Sequence, residues 1–108
     1  MQEMPTSYEQ PRCLSELVEY QEGSVVSRQL MKSEGGNITL FAFDRGEGLT
    51  EHSSPFDALV YVVEGEAEVT VSGKEHRLAE GDMILMPAGA PHALKAPSSF
   101  KMLLIMVK

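Results

Sequence analysis

Tryptophan is absent from this 108-residue chain, and aromatic residues make up only 6% of it. A core short of large rings must be filled by aliphatic side chains and by methionine, whose flexible thioether suits irregular gaps. Seven methionines are present, and core filling is the plainest account of them. Cysteine is nearly absent as well. Cys13 stands alone, so no disulfide can form within the chain, and a reducing, cytoplasmic setting is expected. Positive charge is scarce: nine Lys and Arg face sixteen Asp and Glu, for a formal charge of -7. Such a surface repels phosphates and anionic lipid, and no Lys/Arg stripe interrupts it, so neither nucleic acid nor a membrane surface is expected as a partner. No apolar run approaches the roughly 18 residues of a membrane helix. The opening residues, MQEMPTSYEQPR, lack the apolar stretch of a signal peptide.

What is present is an ordinary globular composition, 43% hydrophobic, at a length that fits one domain. Residues 1–22 read as an N-terminal arm, loose over the first dozen residues. Within it "LSELVEY" (14–20) fits either one helical turn or an edge segment. Residues 23–108 are punctuated like an all-β domain. Short β-prone runs, "SVVSRQLM", "NITLFAF", "ALVYVV", "AEVTVS", "HRL", "DMILM", "HALKA" and "FKMLLIMV", are separated by glycine- and proline-bearing clusters. That spacing predicts a β-sandwich or barrel. No amphipathic helical pattern stands between the runs, which excludes a βαβ arrangement.

Periodicity assigns some faces. In "EAEVTVS", Ala67, Val69 and Val71 alternate with Glu66, Glu68 and Thr70, a strand with one wet face, and Gly73 allows a tight hairpin after it. "ALVYVV" and "MLLIMV" are apolar on both faces. Each needs two covers, one from a second sheet and one from the arm or a second copy of the chain, so a homodimer is expected.

The chemistry concentrates in two stretches. "GDMILMPAGAPHALKA" fits G-x5-P-x-G-x2-H through Gly81, Pro87, Gly89 and His92, and reads as strand, tight turn, strand. Upstream, Gly46, His52 and Gly65 fall on the spacing G-x5-H-x-H-x3-E-x6-G, with Ser54 at the second histidine and Ala58 at the glutamate. In these two motifs the chain resembles a small single-domain cupin of the RmlC-like, conserved-barrel type, over roughly residues 24–107. The resemblance implies a double-stranded β-helix, or jelly-roll barrel. It also implies that His52 and His92 converge inside it, with nearest nitrogens on the order of 3–5 Å apart if both could touch one ion.

Family members usually hold a divalent metal through three histidines and one glutamate. Only His52 and His92 carry over, as a weak two-imidazole site for iron, nickel, manganese or zinc. A serine hydroxyl stays protonated at neutral pH and is a poor substitute. Asp57 is the nearest carboxylate to the missing glutamate, but it has the opposite strand parity to Ala58 unless Pro55 introduces a bulge. The residues expected to contact a ligand are His52, Ser54, Tyr61 and His92, against the plainer alternatives of a hydrogen-bonded core histidine and a packing tyrosine. His76, beside a hairpin turn, is expected to be exposed and idle. Glu64, Glu66 and Glu68 are expected on a solvated edge, and nothing near Cys13 marks it as activated. Two functions stay open, beside a third option, a metal-free enzyme with His52 or His92 as general base. One is a module that binds or senses a small carbohydrate or metabolite. The other is a small metal-dependent oxygenase or isomerase with an incomplete site.

Overall fold

The alternation of buried and exposed side chains sorts nearly every strand of the computed structural model onto one of two sheets. The structure describes residues 8–108, and the part of the expected loose arm over residues 1–7 lies outside them. Among the described residues the arm contributes one 3-10 turn, Leu14–Leu17. The strands follow in chain order: β1 (Val25–Ser33), β2 (Gly36–Phe43), β3 (Gly48–His52), β4 (Asp57–Glu64), β5 (Ala67–Val71), β6 (Lys74–Leu78), β7 (Met83–Met86), β8 (His92–Lys95) and β9 (Phe100–Val107). One sheet has the order β1-β2-β9-β4-β7 and the other β3-β8-β5-β6. Every pairing is antiparallel. This is the jelly-roll barrel that the motifs imply.

The strand β3 is the one the spacing of apolar runs does not reveal. Four of its five residues are exposed, and only Leu49 turns partly inward. Gly48 lets it dock: a Cβ there would collide with the Leu94 carbonyl of β8. At the β5–β6 hairpin both central residues take positive φ, Ser72 at 50° and Gly73 at 82°, as a tight two-residue turn between right-twisted strands requires.

The inner faces of both sheets meet in one cluster. Val60, Val62, Val69, Phe43, Phe100, Met86 and Met102 are its largest fully buried members. Aliphatic and thioether side chains fill most of it, as a tryptophan-free chain must. The rings of Phe43 and Phe100 stack within it, 4.6 Å apart and 5° from parallel.

The two-faced strands have the two covers they need, at least in part. The opposite face of the five-stranded sheet carries a second cluster, in which Leu17 and Val18 of the arm cover Leu40 and Ala42, with Tyr20, Val63 and Leu103 packed alongside. Polar contacts hold the arm there. Arg28 donates to the Leu17 carbonyl at 2.7 Å, and the buried Lys101 ammonium donates to the Ser15 carbonyl at 2.6 Å. Tyr20 donates to Glu64 at 2.6 Å, while Lys101 lies 3.7 Å from the same carboxylate and 4.9 Å over the Tyr20 ring. Burial, together with the bond to Glu64 and its charge, holds the Tyr20 phenol well above its ordinary range. Glu64 is therefore a clasp for the arm, where a solvated edge was expected. Glu66 and Glu68 do sit at that edge, each 3.6 Å from Arg77.

Asp44 ties three segments together. Its carboxylate accepts the Gly23 N–H at 2.7 Å and the Ser99 hydroxyl at 3.3 Å, and these backbone and hydroxyl donors hold its pKa below the ordinary value. A carboxylate with a depressed folded-state pKa contributes stability that is present above its unfolded pKa and lost as pH falls through the folded one. Asp44→Ala should therefore lower the melting temperature at pH 7, and the gap to the wild type should close on acidification below about pH 4. Thermal melts of both proteins across that range check it; an unchanging gap would mean the side chain acts by packing alone.

Candidate functional site

One mouth of the barrel gathers the residues that the two motifs single out. The strand β3 ends at His52 and β8 begins at His92, and the two are Cα partners across a β-bulge. On the facing sheet β4 begins at Asp57 and β7 ends at Met86. The connecting segments are bonded to each other. Gly89 N–H donates to the Ser54 carbonyl at 2.8 Å, and Ala88 N–H donates to Asp57 Oδ1 at 2.9 Å. Pro87 accepts the Ala90 N–H through its carbonyl, and Gly89 has φ 81°, so the proline–glycine pair shapes the turn that delivers His92.

His52 and His92 come together. Their Nε2 atoms are 3.2 Å apart, and their rings meet edge to face at 73° with centroids 4.4 Å apart. They are not equally enclosed. His92 is 4% exposed, whereas His52 sits on the rim in contact with solvent, so the pair marks the entrance and is not wholly inside the barrel. Each ring is anchored by a carbonyl two residues upstream. Nδ1 of His52 bonds the Thr50 carbonyl at 2.7 Å, and Nδ1 of His92 bonds the Ala90 carbonyl at 3.1 Å. A carbonyl can only accept, so each Nδ1 carries a proton; the Nε2–Nε2 contact is a hydrogen bond when one ring also carries a proton on Nε2, and a pair of facing lone pairs when both rings are neutral. Burial holds the His92 pKa below its ordinary value; the Ala90 carbonyl pulls the other way, and the neighbouring His52 adds to the lowering.

The other candidates are placed differently. Ser54 Oγ accepts the Phe56 N–H at 3.1 Å and shapes the loop before β4. Tyr61 does not join the mouth. Val60 and Val62 occupy the inner cluster, so strand parity puts Tyr61 on the outer face of the sheet, opposite Leu103 and Met83. Asp57 keeps the outward parity expected of it, and its carboxylate is committed to the Ala88 N–H. His76 is half-buried, and it lines a groove of about 620 Å³ at the seam between β6 and β7 with Arg77, Leu78, Asp82 and Met83. Ala58 is buried, and its cross-strand neighbours are Met86 on β7 and Met106 on β9. Those two methionines were indistinguishable from core filler in the sequence, because only strand register sets them beside Ala58.

These residues do not fit the family's usual three-histidine, one-glutamate metal site. Among the described residues no group of three or more His, Cys, Asp or Glu is arranged to hold a metal ion. Two imidazoles remain, backed by an alanine and a committed serine.

A two-sheet antiparallel barrel with a histidine pair at its mouth defines a cupin-type domain. A profile of the cupin domain family matches residues 39–108, and the chain belongs to that family. Among solved structures it is similar to a conserved protein of unknown function from Streptococcus pyogenes, with 38% identity, a TM-score of 0.90, and coverage of 100% of this chain and 96% of that one. It is also similar to a cupin superfamily protein of Desulfitobacterium hafniense, with 32% identity, a TM-score of 0.89 and 98% coverage of each chain. An uncharacterized protein of Aquifex aeolicus is 31% identical over 93 residues, covering 84% of this chain and 77% of that relative.

Proposed function

We propose that this protein is a small-molecule-binding cupin whose ligand, a small carbohydrate or similar polar metabolite, enters the barrel mouth at His52 and His92. The observation that carries the reading is the anchoring of both Nδ1 atoms on carbonyls, which, with both rings neutral, turns two Nε2 lone pairs to the entrance 3.2 Å apart, where a ligand hydroxyl replaces the hydrogen bond the rings otherwise make to each other. Acceptors of this kind suit the hydroxyl or amide hydrogens of a neutral ligand. Val71, partly buried and the Cα partner of His92, supplies apolar surface for its carbon face. The metal-dependent oxygenase or isomerase reading ranks second because two of its four ligands are missing. Saturation-transfer NMR against a panel of neutral monosaccharides and polyols, beside their O-methyl ethers, tests the proposal. Binders should lose their signal in His52→Ala and His92→Ala and on methylation. Binding indifferent to both histidines would overturn it.

We propose further that the working form is a homodimer joined through the outer face of the five-stranded sheet. The arm covers only part of that face. Strand register lines up Met31, Ile38, Ile105, Leu59 and Leu85 as one apolar row across all five strands. Met31 is 59% exposed, Leu85 52% and neighbouring Met83 53%. An uncharged patch of this kind on a chain of charge -7 is a place where two copies can meet without like-charge repulsion. Light scattering should give about twice the 11.9 kDa chain mass at micromolar concentration. Leu85→Glu with Met31→Glu should give the monomer with an unchanged β-sheet spectrum. A wild-type monomer would sink this part of the proposal.

A further inference from the structure

We propose that the barrel mouth is also a site for a soft monovalent metal ion, Cu(I), held by Nε2 of His52, Nε2 of His92 and the thioethers of Met86 and Met106. The inference rests on the reading above that the histidine pair is the binding centre, and it differs from the family's donor set in half of its ligands.

Three observations lead to it. The first is the histidine pair itself. With each Nδ1–H held by a carbonyl, the two Nε2 atoms stand 3.2 Å apart, at hydrogen-bond distance; with both rings neutral their lone pairs face one gap, and a metal ion there takes the place of a shared proton. Carbonyl partners on the far nitrogens are the usual way a protein orients metal-binding imidazoles. An atom roughly 2.1 Å from each nitrogen would subtend about 100° between them, an open angle that leaves room for further donors.

The second is the row on the facing sheet. Met86, Ala58 and Met106 are successive cross-strand partners on β7, β4 and β9. All three turn toward the interior, Met86 at 1% exposure and Met106 packed against the same inner cluster. The 53–56 and 87–91 segments join this row to the histidines and are hydrogen-bonded to each other, so both halves lie at one mouth. Where the family's glutamate would supply a hard anionic oxygen, this chain has a methyl group flanked by two thioethers.

The third is the absence of negative charge. Among the described residues no carboxylate or thiolate joins the histidines in a metal-holding group, and Asp57 is turned away to the Ala88 N–H. Asn37, the Cα partner of Met106, continues the row and is neutral. Hard divalent ions favour carboxylate and water oxygens, whereas thioether donors select Cu(I). A neutral set of imidazole and thioether donors also buries only one unit of charge with a monovalent ion, which limits the desolvation cost. Together the donors present discriminate against the divalent ions that the complete family site would take.

The test uses the full chain carrying Cys13→Ser, because the exposed thiol would itself take copper. Cu(I) is delivered anaerobically against a chromophoric copper chelator, Zn(II) is titrated in parallel, and X-ray absorption is recorded on the copper-loaded protein. One Cu(I) per chain is expected, with nitrogen and sulfur neighbours in the absorption spectrum. Met86→Leu with Met106→Leu should weaken Cu(I) by about tenfold or more and leave Zn(II) nearly unchanged. His52→Ala or His92→Ala should abolish stoichiometric uptake. If the double leucine variant does not fold, the sulfur signal of the parent protein decides alone. Copper bound through nitrogen only, or unaffected by the loss of both methionines but lost with either histidine, overturns this inference and leaves the mouth as the binding centre. Uptake indifferent to the histidines overturns both.

Discussion

Phe100→Ala is expected to destabilise the protein by about 3–5 kcal/mol, the usual cost of removing a buried ring that neighbours cannot replace. Phe100 and Phe43 are both fully buried and stack at 4.6 Å. They are Cα partners on β9 and β2, and Gly65 lies so close to Phe100 that a Cβ there would collide with the Ser99 carbonyl. The chain has no tryptophan and few aromatic residues to collapse into the void. A domain of this size has on the order of 5–15 kcal/mol to lose, so the variant should be marginal. Urea unfolding should show a much lower midpoint with an unchanged slope, since the same surface is exposed on unfolding. The pair lies at the start of β9, whereas Met106 and the histidine mouth lie at its end. The folded fraction should therefore keep its ligand and metal affinity. A cost under about 1 kcal/mol would show that methionine side chains refill the space.

The contrast between that end and the mouth shows what strand patterning reveals. Val60, Val62, Val69 and Phe43 are inward residues of strands whose apolar alternation or apolar runs are plain in the sequence, and they form the core. The strand β3 escaped this signal because an edge strand with one partly buried side chain has no hydrophobic period to detect. The same limit applies at the mouth. The resemblance to the cupin family places His52 and His92 as neighbours, because both stand at histidine positions of that family's two motifs. It says nothing of which nitrogen carries the proton, which depends on the Thr50 and Ala90 carbonyls.

Long-range register is the other hidden term. Met86 and Met106 stand on either side of Ala58 only after β7, β4 and β9 are aligned. Tyr61 looked like a ligand contact through its nearness to the motif, yet period-two parity with Val60 and Val62 turns it outward. Glu64 looked solvated by its position near a turn. Its partners Tyr20 and Lys101 come from distant segments that only the folded arm brings to it.

Ser54→His combined with Ala58→Glu is expected to turn the mouth into a tight divalent site, with affinity for Zn(II) or Mn(II) rising on the order of a hundredfold or more. The two changes restore the donors that the family motif has and this chain lacks, next to imidazoles already oriented by carbonyls. The effect on stability has a sign of its own. Ala58 is 2% exposed, so a glutamate there is buried between Met86 and Met106 with no cation to meet it. Without metal the variant should be less stable than the wild type, because an uncompensated carboxylate must desolvate or take up a proton. With metal at a hundred to a thousand times its dissociation constant, linkage returns about 3–4 kcal/mol. Melting curves with and without a chelator should therefore diverge widely for the variant and hardly at all for the wild type with Zn(II). The carboxylate should also reverse the preference for Cu(I), since a hard anionic oxygen then faces the histidines in place of a methyl group flanked by thioethers. Ala58→Glu alone should show the stability loss with only part of the affinity gain. Equal zinc affinity in the wild type and the double variant would mean that the 53–56 loop, shaped by the Ser54–Phe56 and Ser54–Gly89 bonds, no longer carries position 54 toward the histidine pair.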